Sequence, residues 1–204
     1  MRAIWKSKLP LAVTVGFAVA LCSDPARAHL NSTGMGPIYD GSTHFLTGPE
    51  DLVPVFALAL LCGRRGAQYG RRTLFVLPGA WLLGGLLGLT APVSTGSPIG
   101  SALWFLFLGG LLAGDVTLSL HTTTALAAAL GLYHGYLNGT GMGRAESTTV
   151  SLLGLTLSVF VVVALVAAFA VPLRAYWARI AVRVAGSWIA ASGILMLGWV
   201  VRTL

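Results

Sequence analysis

The chain has 204 residues, 56% of them hydrophobic and only 9% charged, with a formal net charge of +7 and a mean hydropathy of +0.83. A soluble domain carries roughly 25% charged residues, so this composition excludes an ordinary soluble domain and points to an integral membrane protein with short loops. The positive charge does not imply nucleic acid, because the basic residues sit in short clusters between apolar runs rather than on an aromatic-interleaved face.

The first 28 residues have the pattern of a cleavable signal peptide. Arg2, Lys6 and Lys8 precede the apolar run "LPLAVTVGFAVAL", and "ARA" before His29 is an A-x-A-type cleavage site. Cleavage after Ala28 makes His29 the new N-terminus of a membrane domain spanning 29–204. Cys22 and Cys62 both lie in apolar surroundings, and their spacing is not that of a ligand pair or of a disulfide framework.

Six apolar segments follow, near 48–63, 73–91, 100–114, 119–138, 148–171 and 184–201. A spanning helix needs about 20 apolar residues. The expected fold is therefore all-α: a polytopic bundle of six transmembrane helices after the signal. The first and third segments are short, so tilted, kinked or incomplete spans are expected there. The 26 glycines recur as "GGLLGL", "GGLLAG" and "GLYHGYLNG", the small-residue spacing that lets membrane helices approach closely. Trp81, Trp104, Trp177, Trp188 and Trp199 read either as interface anchors or as bundle core.

Arg64, Arg65, Arg71 and Arg72 fall between the first two segments, and Arg174, Arg179 and Arg183 between the last two. The positive-inside rule places both groups in the cytoplasm. The mature N-terminus is then outside, as a signal peptide also requires. The expected location is a bacterial inner (cytoplasmic) membrane, with the lipid bilayer as the obligatory partner.

Ionisable groups within membrane segments point to function by default. Here they are His44, Glu50, Asp51, Asp115, His121 and His134. Asn138 joins them, four residues after His134 and on the same helix face. "TGPE" also fits a capping box, with Thr47 as N-cap, Pro49 in the first turn and Glu50 reaching back to an orphan amide. That reading leaves Asp51 unexplained. Pro54, two turns further on, predicts a kink and a freed carbonyl. Asp115 and His121 flank a short link rich in Ser and Thr, which reads as a turn and cap cluster or as the inner mouth of a pathway. His134 with Asn138 reads as an interhelical hydrogen-bonding pair or as ligands, imidazole being the commonest side-chain donor to nickel-like ions.

These residues carry a resemblance. "HFLTGPED" is similar to the motif HPxxGxDH of the HupE/UreJ family of hydrogenase and urease accessory membrane proteins. His44 and Gly48 match, Phe45 replaces the Pro, Glu50 stands at the Asp position and Asp51 at the second His. "YHGYLNGTG" resembles the family's FHGxAHG followed by an acid. His134, Gly135 and Gly139 are kept, Asn138 replaces the second His, and Gly141 stands where the acid would be. The resemblance covers most of the chain after the signal.

It implies a permease for a divalent cation such as Ni2+ or Co2+, with an outward vestibule. The implied metal-facing residues are His29, His44, Glu50, Asp51, His134 and Asn138. Loss of two imidazoles shifts the preference toward harder divalent ions. The alternative is a non-transporting accessory or scaffold subunit, partnered with a membrane complex or a metalloenzyme-maturation protein. An enzyme is not expected: there is no nucleophile–base pair, no nucleotide-binding loop and no HExxH run.

Overall fold

The computed structural model describes residues 33–92, 97–142, 147–173 and 175–203. Seven helices occupy them: α1 (Pro37–Thr47), α2 (Pro49–Arg65), α3 (Ala67–Thr90), α4 (Pro98–Ala113), α5 (Leu120–Met142), α6 (Thr148–Ala170) and α7 (Tyr176–Thr203). No strand occurs among the described residues. The six apolar segments of the sequence correspond to α2 through α7. The signal segment, its cleavage site and His29 lie outside the described residues.

Helix α1 is the element that apolarity did not announce. It ends because Pro49 follows Gly48: the residue before a proline is pushed out of the helical region, and Gly48 is extended, with φ −86° and ψ 97°. The Gly48 amide closes α1 on the His44 carbonyl, while the Gly48 carbonyl accepts the amides of Asp51 and Leu52 to start α2. The two helix axes diverge by 73° across this one-residue break.

The expected cap is thus corrected. Gly48, not Thr47, is the N-cap of α2, and no side chain caps that end. The Thr47 hydroxyl instead donates to the Thr43 carbonyl at 2.7 Å, within α1. Thr47→Ala is accordingly expected to change the unfolding temperature little, within about 0.5 kcal/mol. Loss of a true cap costs about 1 kcal/mol, and thermal unfolding in detergent separates the two. The sharp bend lies at Gly48; α2 continues as helix through Pro54.

Helix α2 is the centre of the bundle. Val55, Ala57, Leu58, Ala59, Leu60, Leu61 and Cys62 are all buried, and α2 packs against α1, α3, α4, α5 and α6. Its neighbours approach closely through small residues. A Cβ at Gly135 of α5 would meet the Trp81 carbonyl oxygen of α3, and one at Gly139 would meet that of Gly85. The same is true of Gly41 of α1 against Ser151 of α6, and of Gly186 of α7 against Ala113 of α4. Many of the sequence's glycines are therefore packing positions, as small residues at membrane helix interfaces should be.

Helix α7 packs mainly on α4 and leaves Trp177, Trp188 and Trp199 exposed, the placement expected of lipid-facing or interfacial aromatics. Trp81 takes the other of the two readings, bundle core: it is fully buried.

Helices α3, α6 and α7 are long and apolar enough to cross a membrane, and the bent α1–α2 pair makes a fourth crossing if it acts as one span. Helix α4 is apolar but shorter, at 16 residues. Helix α5 has the length, at 23 residues, but carries His121, a threonine run, His134 and Asn138, and does not reach the same apolarity. The chain is a multi-pass membrane protein in which the acidic start of α2 packs against the half of α5 that carries His134 and Asn138.

Candidate metal-facing site

The start of α2 and the second half of α5 bring together residues 83 and 87 apart in sequence. Asp51 lies in the first turn of α2 with only 5% of its surface exposed. One carboxylate oxygen is 2.8 Å from His134 Nδ1. The other accepts from Asn138 Nδ2 at 2.9 Å. That same amide nitrogen donates its second hydrogen to the His134 carbonyl, also at 2.9 Å. Spacing of four on α5 is what lets one carboxylate serve both side chains, since residues i and i+4 stack on one helix face.

The hydrogen-bond arithmetic determines what remains available. An ionised carboxylate only accepts, so Nδ1 of His134 carries the proton and donates it to Asp51. In the neutral ring the lone pair then sits on Nε2. This atom is buried and has no partner, and neither has Asn138 Oδ1. Buried polar atoms are normally satisfied, and an unpaired one calls for an explanation. In the neutral tautomer these two orphans are an imidazole nitrogen and an amide oxygen that can each face a cation; Trp81 Nε1, on the ring stacked against the imidazole, is a third buried atom without a partner among the described residues.

Aromatic rings enclose the imidazole. Trp81 stacks on it, with centroids 5.6 Å apart and planes 26° apart. Tyr133 meets it edge-on at 5.1 Å, and Trp104 lies at 6.4 Å. Phe45 of α1 in turn packs edge-on against Trp81 at 5.8 Å. These rings hold the imidazole plane and keep bulk water from Nε2. Sequence reasoning did not find Phe45, Trp81, Trp104 or Tyr133 as neighbours of the site. The only available signal was the concentration of aromatics in the same apolar segments.

The remaining candidates divide. Glu50 is exposed in the first turn of α2, within electrostatic range of Asp51, His134 and His44, so His44 and Glu50 border the buried trio. His44 is half-buried in the last turn of α1. No group of three or more His, Cys, Asp or Glu close enough to hold an ion exists among the described residues. The centre is one imidazole, one carboxylate and one amide, with a second carboxylate and imidazole at its edge.

Asp115 belongs elsewhere. It is bound by two arginines, Arg64 at 3.3 Å and Arg179 at 2.6 Å, and it adopts a left-handed backbone with φ 51°. A carboxylate held between two guanidinium groups is largely neutralised toward a passing cation, which weighs against Asp115 itself binding one at an inner mouth. The turn-and-cap reading of this link holds at Ser119, whose hydroxyl accepts the Thr122 amide at 3.1 Å. His121 is exposed at the start of α5.

The sequence profile described as HupE / UreJ protein matches residues 17–196. The chain belongs to the HupE/UreJ family. Searches of curated proteins and of solved structures give no match. The match spans both stretches that form the site, "HFLTGPED" and "YHGYLNGTG".

Proposed function

We propose that this HupE/UreJ protein is a membrane permease for a divalent transition-metal cation of the nickel or cobalt class, its six apolar segments each crossing the bilayer. The observation that carries the reading is the buried, unpartnered Nε2 of His134, on a ring held at Nδ1 by the Asp51 carboxylate. Histidines that ligate metals almost always donate their other ring N–H to a carboxylate or carbonyl, which fixes the tautomer and raises ligand basicity. Asp51 thus positions His134 and supplies negative charge; His134 Nε2 and Asn138 Oδ1 are the inward donors.

Glu50 and His44, at the border of the trio, raise the local cation concentration and hand the ion inward. A sparse donor set suits a transported ion, because conduction requires binding weak enough for release. Nitrogen and oxygen donors together fit nickel, cobalt or zinc, while the replacement of an imidazole by Asn138 widens the range toward harder ions.

The six-crossing topology draws support from the Arg64–Asp115–Arg179 cluster, which joins the last turn of α2, the end of α4 and the start of α7. Asp51 sits 13 residues before Arg64 on α2, about 20 Å along the helix at 1.5 Å per residue. The polar trio and the arginines therefore lie toward opposite ends of the bundle. Positive-inside sorting then puts the arginines in the cytoplasm and the trio toward the outside.

The absence of a three-ligand cluster among the described residues favours one competing reading, a non-transporting accessory subunit. Metal analysis of the detergent-purified protein separates the two. After exposure to Ni2+ or Co2+ and desalting, the permease reading expects metal bound in proportion to protein and lost in His134→Ala, with the folded yield kept. A metal-free wild type that co-purifies with a stoichiometric partner supports the accessory reading instead.

A further inference from the structure

At the end of the bundle remote from Asp51, a cavity of about 510 Å³ opens between α2, α4, the link after α4 and the link before α7. Among the described residues, three guanidinium groups line it, those of Arg64, Arg65 and Arg179, against a single carboxylate, Asp115. The lining therefore carries a formal excess of two positive charges. Each guanidinium has five N–H donors. Among the described residues, Arg64 and Arg179 use one nitrogen each on Asp115, and Arg65 uses one on the Leu118 carbonyl at 3.3 Å. Most of the donors around this cavity are therefore unspent.

We infer that this cavity is a binding site for a phosphate-bearing anion, either the headgroup of an anionic phospholipid or a free phosphate. Arginine is the side chain best matched to phosphate, because its planar fork presents parallel N–H groups to two oxygens. The geometry preorganises that fork: Asp115 holds Arg64 and Arg179 in place, and the Arg65 guanidinium lies 5.8 Å from the centre of the Tyr69 ring. The cavity walls include Leu61, Leu112, Val171 and Leu173. Apolar walls beside a cationic floor match a lipid, whose phosphate and first acyl carbons are adjacent. Basic pockets between membrane helices bind acidic headgroups for this reason. The site is independent of the metal-facing trio. With its excess of positive charge, the cavity attracts anions.

The full-length protein, purified in a neutral detergent, is titrated with phosphatidylglycerol, with phosphatidylcholine and with inorganic phosphate, and its unfolding temperature is followed. Phosphatidylglycerol is expected to raise it by several degrees where phosphatidylcholine does not; a matching rise with inorganic phosphate alone identifies the free anion as the occupant. Arg65→Gln, which leaves both Asp115 ion pairs intact, should raise the half-saturating concentration at least tenfold. Asp115→Asn should preserve the response, because losing the only negative charge among the described lining residues offsets losing its hold on Arg64 and Arg179. The inference is overturned if neither anion shifts the wild type, if Arg65→Gln responds like the wild type, or if Asp115→Asn abolishes a response that Arg65→Gln retains.

Discussion

Asp51→Ala is expected to abolish metal accumulation in cells while leaving the protein in the membrane. The carboxylate is the hub of the buried trio, and its removal strands the Nδ1–H of His134 and one N–H of Asn138. A stranded buried donor costs about 1–3 kcal/mol in a soluble protein. Interhelical hydrogen bonds in membranes average only about 0.6 kcal/mol, because the unfolded helices find other partners in the bilayer. A stability loss of roughly 1–2 kcal/mol follows, tolerable for a bundle held by several helix interfaces.

The functional cost is larger. Losing the partner that orients a ligating histidine typically costs about 10–100-fold in metal affinity. Here the loss of the buried negative charge comes on top of that. Asp51→Asn sharpens the comparison. Its carbonyl can still accept from His134, so much of the packing and hydrogen bonding is kept while the charge is gone. Accumulation of Ni2+ or Co2+, normalised to protein in the membrane, should be lost in Asp51→Ala and strongly reduced in Asp51→Asn. Normal accumulation in Asp51→Ala would remove Asp51 from the mechanism.

Gly135→Ala is the second large effect, and it acts through packing. Gly135 follows His134 on α5, at the seam with α3. A Cβ there would fall on the carbonyl oxygen, carbon and Cα of Trp81. Backbone cannot swing aside as a flexible side chain can, so α3 and α5 must separate. Overpacking of this kind costs typically about 1–3 kcal/mol, and the gain in helix propensity from Gly to Ala, up to about 1 kcal/mol, offsets only part of it.

The same displacement moves Trp81 off the His134 ring, so metal binding should fall along with the unfolding temperature. Gly79 on α3 is the matched control. A Cβ there meets nothing within 4 Å, so Gly79→Ala should be neutral or slightly stabilising. Thermal unfolding of the purified variants distinguishes them; equal behaviour at the two positions would contradict the close α3–α5 seam.

The apolar segments were readable because each of α2 through α7 contains a run that only a lipid or a buried core would accept. Helix α1 was hidden by its own composition. Residues 37–47 mix Tyr, Asp, Ser, Thr and His with few large apolar side chains, so the stretch before Gly48 looked like a polar approach to a capped helix. The Gly48–Pro49 pair did signal a boundary. It marked the end of one helix as well as the start of the next, and only tertiary packing of Phe45 and Gly41 shows that the first exists.

Within the site, the pairing of His134 with Asn138 followed from their spacing on one helix. The pairing of both with Asp51 did not, because it joins helices 83 residues apart and depends on how close the glycine seam lets them come. Trp81 shows the same limit. A tryptophan in an apolar segment suits an interface or a core equally well, and its full burial against His134 is decided by neighbours from other helices. His29, implied by the family resemblance as a further ligand, lies outside the described residues.

On the proposed function, His134, set by Asp51, passes a divalent metal through this bundle. Flux of Ni2+ or Co2+ into proteoliposomes loaded with a metal-sensing dye tests it most directly, with wild type and His134→Gln reconstituted at equal density. Saturable flux is expected in the wild type and a reduction of about tenfold or more in His134→Gln, in keeping with the loss expected when a metal ligand's geometry is destroyed. Equal flux from the two proteins, or none above empty vesicles from the wild type, would contradict it.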